Sequence, residues 1–459
     1  MKLIVKNTLF VIVMTAFFAG RAQVPSFKAV VYDSTVIKGY FFLVSNQHLL
    51  ILDKNGTVVY SKDNESNNSD FKIEANGMMA YFNNGQYLLM DSTFRVVDTI
   101  GCEKYETDFH EIKILPNGNT LLLGLEPILM DLSKYQIKGR QGSDTAKVIG
   151  GVIQELDARH KVVFEWHAKD HLAFDDMDTT RDVFVTPEIE WTHWNSLDVD
   201  LDGNLLVSSR FLKEVTKINR ADGSIMWRLG GKHNQFRFID PLANGKAPFS
   251  SFNIQRNIRV LPNGHITLLD RGTHGSRGVE LKIDEAKKTA TVVWSYIYDP
   301  TLTSGLGGNV QRLSHSNTLL DYGFFTSKSR ELCFVIVDSS GNKLFELTGA
   351  RAFRTYYYDS LPFQLHRPQI ACTDSAGIYY LDAGAGFKSY SWNTGDTTRL
   401  IPVKEAGNYF VSVPYGDGGF ISSENYIVTD RLRPCSTMPD RLGMNSNETK
   451  KKGTSITGK

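Results

Sequence analysis

Four stretches of this chain share one layout: two short apolar strands joined by a tight polar turn. The clearest runs from Glu188 to Arg210. A polar start at His193 and Asn195 leads into an alternating strand at Leu197, Val199 and Leu201. A turn at Asp202-Gly203-Asn204 follows, and a second apolar strand, Leu205 to Val207, ends on Ser208-Ser209-Arg210. Alternation with period two broken by Asp-Gly is a strong hairpin signal. His193 and Asn195 then face one side of a strand. Arg210 ends the partner strand, close to where the first strand began.

The layout recurs at 110–124, 256–271 and 309–323. Aligned on the residue that opens the turn (Asn117, Asp202, Asn263, Ser316), the polar residues seven places earlier are His110, Asn195, Arg256 and Asn309. Eight places later stand Leu125, Arg210, Arg271 and Phe324. Equal offsets on pleated strands point each polar side chain the same way within its own repeat. A second recurring piece is a strand that closes on Trp: Trp166, Trp227 and Trp294, with Leu344–Leu347 as a weaker copy. These tryptophans suit packing between sheets better than ligand stacking, whereas Trp191 and Trp194, which flank His193, suit a core or an aryl pocket equally. Antiparallel units of roughly 40–80 residues repeated without a break predict an all-β chain, a β-propeller rather than a sandwich. One helical turn is expected near Lys169–Met177. After Arg367-Pro368 the texture changes to Gly turns and aromatic strands, which predicts a small C-terminal β-sandwich of immunoglobulin type.

The expected organisation is therefore a leader over 1–22, a propeller over 23–367, a small sandwich over 368–435 and a disordered polar tail over 436–459. The leader rests on Lys2 and Lys6, the apolar run Leu9–Ala19 and Gly20-Arg21-Ala22, an export signal too short to span a bilayer. It implies a periplasmic, secreted or surface protein with no membrane span after cleavage. A net charge of +1 gives no nucleic-acid surface. Cys102, Cys333, Cys372 and Cys435 lack metal or redox spacing; Cys372 and Cys435 bracket the C-terminal module, either as a disulfide or as free thiols.

Asp108-Phe-His110-Glu, Thr192-His193-Trp-Asn195-Ser with Ser208-Ser-Arg210, Phe252-Asn-Ile-Gln255-Arg256 before Leu-Pro-Asn-Gly, and Asn309-Val-Gln-Arg-Leu together resemble the bacterial arylsulfotransferases, over about residues 100–350. The resemblance implies a six-bladed propeller with its site at the central channel. It implies transfer of a sulfuryl group from an aryl sulfate donor to a phenolic acceptor through a sulfated histidine, with no cofactor. His110, His193, Asn195 and Arg210 then surround the sulfuryl group. The family's nucleophilic histidine follows a glutamine; here Gln255 is followed by Arg256. The C-terminal module resembles small domains of secreted Bacteroidetes proteins.

The chemistry agrees in part. A sulfate ester needs donors on its oxygens and help for the departing phenolate, which Arg and His supply. A guanidinium offers no lone pair, so Arg256 is no nucleophile. Three readings follow: His193 or His110 takes over or the phenol attacks directly; the pocket binds sulfated or other anionic ligands without turnover; or the chain is a protein-binding scaffold. No phosphate-cradling loop points to a phosphosulfate nucleotide donor. Each cation and amide also has a plainer role: Arg210 in an ion pair, Arg256 paired with Asp270, Arg271 solvated at its turn, Asn309 capping a strand. His265, His274 and His315 lie at turns and are expected to be exposed. Glu111 should face away from His110. The sequence is silent on oligomeric state.

Overall fold

The computed structural model describes residues 24–66, 69–180, 183–243, 248–272, 275–325, 332–430 and 435. The expected leader and tail, and His274, lie outside them. The regular structure of the described chain is nearly all strand, and the chain divides into two units. The first comprises residues up to Thr57, Asp63–Asp91 and Val96–Leu361; the second comprises Val58–Lys62, Ser92–Arg95 and the chain from Pro362 onward.

The turns predicted from Asx-Gly pairs form by a common device. Asn117, Asp202 and Asn263 each use the side-chain oxygen to accept the backbone N–H two residues on, at 3.0 Å in all three. The intervening Gly118, Gly203 and Gly264 have φ of 85°, 83° and 78°, a region open to glycine and strained for most other residues. The fourth turn lacks glycine. It closes as a short 3-10 turn, Ser314–Ser316, with His315 and Ser316 held at positive φ. Leu201, expected in a strand, sits in its turn and is 66% exposed.

Each hairpin continues into a four-stranded antiparallel meander. The strands are 71–73, 79–83, 86–90 and 96–100; 106–114, 120–130, 146–156 and 162–167; 194–199, 205–209, 214–218 and 225–230; 256–260, 266–270, 277–284 and 289–297; and 309–312, 318–321, 332–337 and 343–348. A further sheet joins 355–358 to 40–45 and 48–52. The ends of the unit are thereby stitched together, because 28–32 also pairs with the last meander at 343–348. Trp166, Trp227 and Trp294 lie on the fourth strands and are buried in the cores between sheets, as expected. The expected helical turn is present as Ala168–His171 and Phe174–Asp176.

The first strands of successive sheets pack against one another in a closed ring. Each therefore turns an edge with unpaired backbone groups toward its neighbour, and side chains complete the bonds. Lys72 Nζ donates to Ile112 O at 2.7 Å, and Glu74 accepts Ile114 N at 3.0 Å. Ser196 and Asp198 accept the N–H of Ile258 and Val260. Asn309 bonds both backbone groups of Thr355, at 2.8 and 3.0 Å, and Tyr358 hydroxyl accepts Ile73 N.

Within the second unit 371–375 pairs with 378–382, which pairs with 400–402; 411–415 pairs with 391–392 and 419–422; and 407–409 pairs with 426–428. It is closed by a Cys372–Cys435 disulfide, while Cys102 and Cys333 are free thiols. The composition shift at Arg367-Pro368 falls six residues past the contact boundary at Leu361/Pro362. The two early segments were not foreseen. Tyr60, Ser61 and Lys62 pair with Ile421, Phe420 and Gly419, and Phe94 packs on Tyr60, Phe363 and Tyr415.

Asn309→Ala strips Thr355 of both backbone partners in a buried place. It should cost about 2–4 kcal/mol of stability in urea unfolding, while leaving any activity of the folded fraction unchanged.

Candidate active site

Three of the four first strands carry an irregularity at the polar residue. In 106–114, Ile112 pairs with Leu122 and Thr107 with Gly124, so residues 108–111 stand opposite Leu123 alone. In 194–199 the extra residue is Asn195 itself. In 256–260 two residues oppose one, after Arg256. Bulges bend a strand and re-aim its side chains. Only the strand bearing Asn309 keeps an unbroken register with its partner.

The outcome is one cleft lined by His110, His193, Asn195, Arg210 and Arg256, together with Leu306, Gly307, Gly308, Phe353 and Arg354. Five of the seven residues singled out from sequence meet there. Asn309 does not: it is fully buried and spent on Thr355. Arg271 does not line the cleft, but its charge acts on Arg256. Arg210 lies where the hairpin places it, its N–H on His193 O at 3.0 Å. His193 precedes the strand rather than belonging to it, with φ of 43°. Asn195 lines the cleft and donates to Gln255 O at 2.8 Å.

The two histidines are alike. His110 Nδ1 lies 2.6 Å from Asp108 Oδ1, and His193 Nδ1 lies 2.9 Å from Glu190 Oε2. A carboxylate at Nδ1 holds a proton there and leaves Nε2 to face a ligand, with a lone pair on the neutral ring or a second N–H on the cation. The rings meet edge to face at 5.2 Å; His110 stacks on Phe109, and His193 leans on Phe211. Burial, with His110 and Arg210 nearby, lowers the pKa of His193 in spite of Glu190. Glu190 is held below the usual carboxylate range by its bond to His193. Glu111 faces away as expected, into a network with Lys72 and Arg259.

Arg256 is 5% exposed. It does not pair with Asp270, whose carboxylate accepts Asn253 N and faces Arg277. Its bonds go to neutral oxygens: Ser304 Oγ, Gly307 O and Gly305 O, at 3.0, 2.7 and 2.7 Å. That engages three of five N–H donors. Burial, then the like charges of Arg210, Arg271 and Arg354, push its pKa down to about 9, so it is still a cation at neutral pH. A buried cation without a carboxylate partner, among other cations, favours an anion.

The family model for arylsulfotransferase (ASST) matches residues 27–358. The chain belongs to the arylsulfotransferase family. No curated protein matches it. Among solved structures, a protein of unknown function from Bacteroides caccae is 14% identical, with a TM-score of 0.46, covering 70% of this chain and 100% of that one. A virginiamycin B lyase from Staphylococcus aureus is 10% identical, with a TM-score of 0.32, covering 70% and 99%.

Residues that the sequence did not single out complete the arylsulfotransferase cleft. Arg354 donates to His110 O and Asn195 O at 2.7 and 2.6 Å and pairs with Asp70 at 2.8 Å. No Asx-Gly hairpin follows it, because its strand joins the first sheet. Asp108 and Glu190 sit two and three residues before their histidines, a spacing that could have marked them. Trp194 lines an adjoining cavity, whereas Trp191 is packed in the core. His265 is half-buried against Glu280 rather than exposed; His315 is exposed.

Inorganic sulfate should raise the thermal midpoint by binding the folded state. Arg256→Met should lose most of that rise and keep only the general salting effect, as read by calorimetry across a sulfate series. His193 gives a pH test. Its folded pKa lies below the unfolded value of about 6.5, so the folded protein binds fewer protons and loses stability as pH falls through that window. The stability difference between wild type and His193→Gln should therefore shift against wild type from about pH 7.5 to about pH 5, measured by urea midpoints.

Proposed function

We propose that this protein transfers the sulfuryl group of an aryl sulfate to a phenolic acceptor in this cleft. The observation that carries the reading is the convergence of two carboxylate-held histidines and an uncompensated Arg256 on one cavity. The ring of first strands is read as the hub of a six-bladed propeller, with the cleft in its channel. The second unit is read as an immunoglobulin-like module, and residues 1–22 as an export signal that delivers the protein to the periplasm or beyond.

In this reading Arg256 stands where related enzymes carry the nucleophilic histidine. Its remaining donors and those of Arg210 hold the sulfuryl oxygens, and Asn195 borders them. His193, kept neutral, supplies the nucleophile: Nε2 bonds to sulfur while the sulfur–oxygen bond to the aryl group breaks. His110, entering with a proton on Nε2 as well as on Nδ1, gives the Nε2 proton to the departing phenolate. In the second half, an acceptor phenol returns its proton to His110, its oxygen attacks sulfur, and His193 is released. Both half-reactions balance with no cofactor.

With a chromogenic aryl sulfate, release should depend on added phenol. His193→Ala should lower kcat by about 10³-fold or more, and His110→Ala by about 10²–10⁴-fold. Mass spectrometry of protein held with donor alone should find the sulfuryl group on the His193 peptide. Saturable binding of the donor with no turnover under any phenol would overturn transfer in favour of a binding protein.

A further inference from the structure

We propose that the phenol this protein accepts carries a positive charge on the side of the ring away from its hydroxyl. The inference rests on the sulfuryl-transfer reading and names the substrate class of the same site.

The arginine-lined cleft adjoins a second cavity, which in turn adjoins a third. The nearer one shares His110 and His193 with the cleft and is walled by Phe109, Leu123, Leu125, Ile149 and Trp194. An aromatic ring placed there buries its faces on apolar side chains and presents its oxygen to the histidines. Glycines leave the room. A Cβ on Gly151 would stand 2.3 Å from the Trp194 ring, and one on Gly124 3.1 Å from Cys102 Sγ.

The farther cavity shares Leu125, Ile149 and Glu190 with the nearer one and is the most open to solvent of the three. Its rim is acidic: Glu106, Glu188 and Glu190 line it, and no cation does among the described residues. The strand register explains why they gather. Glu106 stands opposite Leu125, Leu125 opposite Gly151, and Glu190 beside Ile149 in a parallel pair. Lys147 neighbours Glu188 in that pair but does not line the cavity. Thus a path runs from three arginines, past two histidines and an apolar box, to three carboxylates. A molecule lying along it is anionic or hydroxylic at one end, aromatic in the middle and cationic at the other. An anionic tail would meet like charge at the rim. In a two-step transfer the donor's aryl group and the acceptor occupy the apolar box in turn, so the acceptor can be varied while the donor is held fixed.

The test uses the full chain with 4-nitrophenyl sulfate as donor and three acceptors of one ring and matched chain length: tyramine, 4-ethylphenol and 3-(4-hydroxyphenyl)propionate. The expected order in kcat/KM is cationic, then neutral, then anionic. Exposed carboxylates support roughly a 3- to 20-fold spread between the first two, compressed by added salt. Glu106→Gln with Glu188→Gln should bring tyramine down to the level of 4-ethylphenol and leave the rate with 4-ethylphenol unchanged. Equal kcat/KM for tyramine and 4-ethylphenol in the wild type overturns the inference and leaves sulfuryl transfer standing. A preference for tyramine that persists in the double variant also overturns it, since the charge would then be read elsewhere. No turnover with any of the three overturns the transfer reading and the inference with it.

Discussion

The first strand of each meander in the larger unit, and the strand 355–358, ends its sheet among the described residues, and the free edges of these strands face one another. A buried N–H or C=O without a partner costs about 1–3 kcal/mol, so a ring of such edges is unstable unless side chains close it. Lys72, Glu74, Ser196, Asp198, Asn309 and Tyr358 all do so. Arg354 is the extreme case. It is 1% exposed and reaches the backbone oxygens of His110 and Asn195 as well as Asp70, which also accepts the Tyr356 hydroxyl. A cation so buried is tolerable only with its carboxylate present. Asp70 thereby lets one side chain tie several strands at the place where they meet.

The same inner edges make the site. A strand in regular register sends its polar side chain into closing the ring, as Asn309 does. A bulged strand frees residues from the ladder. His110, Asn195 and Arg256 all stand at bulges, and His193, Ile254 and Asn257 are held at positive φ. Backbone held in that region by non-glycine residues costs of order 1–3 kcal/mol each and persists only where surrounding packing imposes it. Here the imposing contacts are those of the ring: Gln255, next to Ile254, donates to Ser208 Oγ, Ser209 O and Glu214 O of the neighbouring sheet. The elements that stabilise the ring are therefore also the ones that fix the geometry of the cleft.

This explains what could be read from the sequence and what could not. Hairpins are local, and Asx-Gly turns announce their own conformation, so the meanders, the Trp-bearing outer strands and the placing of Arg210 beside His193 were legible. Equal offsets also brought His110, Asn195 and Arg256 together, although by bulges rather than by the unbroken pleat that the offsets assume. Asn309 shares the offset but not the bulge, and register is invisible to spacing. Arg354 and the strand 355–358 were hidden because their sheet is completed by residues 40–52, far away in sequence. Segments 58–62 and 92–95 were hidden for the same reason: nothing local tells a strand which of two units it joins.

Arg256 then poses a question of energetics. Its guanidinium is buried beside other cations and bonded only to neutral oxygens. Among the described residues no carboxylate compensates that charge as Asp70 compensates Arg354, and the ring would be more easily built with an uncharged residue there. A cost of this kind persists where a ligand recovers it, and the ligand must be an anion. The carboxylates near the cleft are not free to substitute, because Asp108 and Glu190 are engaged at the Nδ1 atoms of His110 and His193. Two opposing demands are met at once: acids orient the histidines from behind, while the space in front of the histidines is left to arginine. That separation of charge, rather than any single side chain, lets one cavity favour an anion and still keep a neutral imidazole beside it.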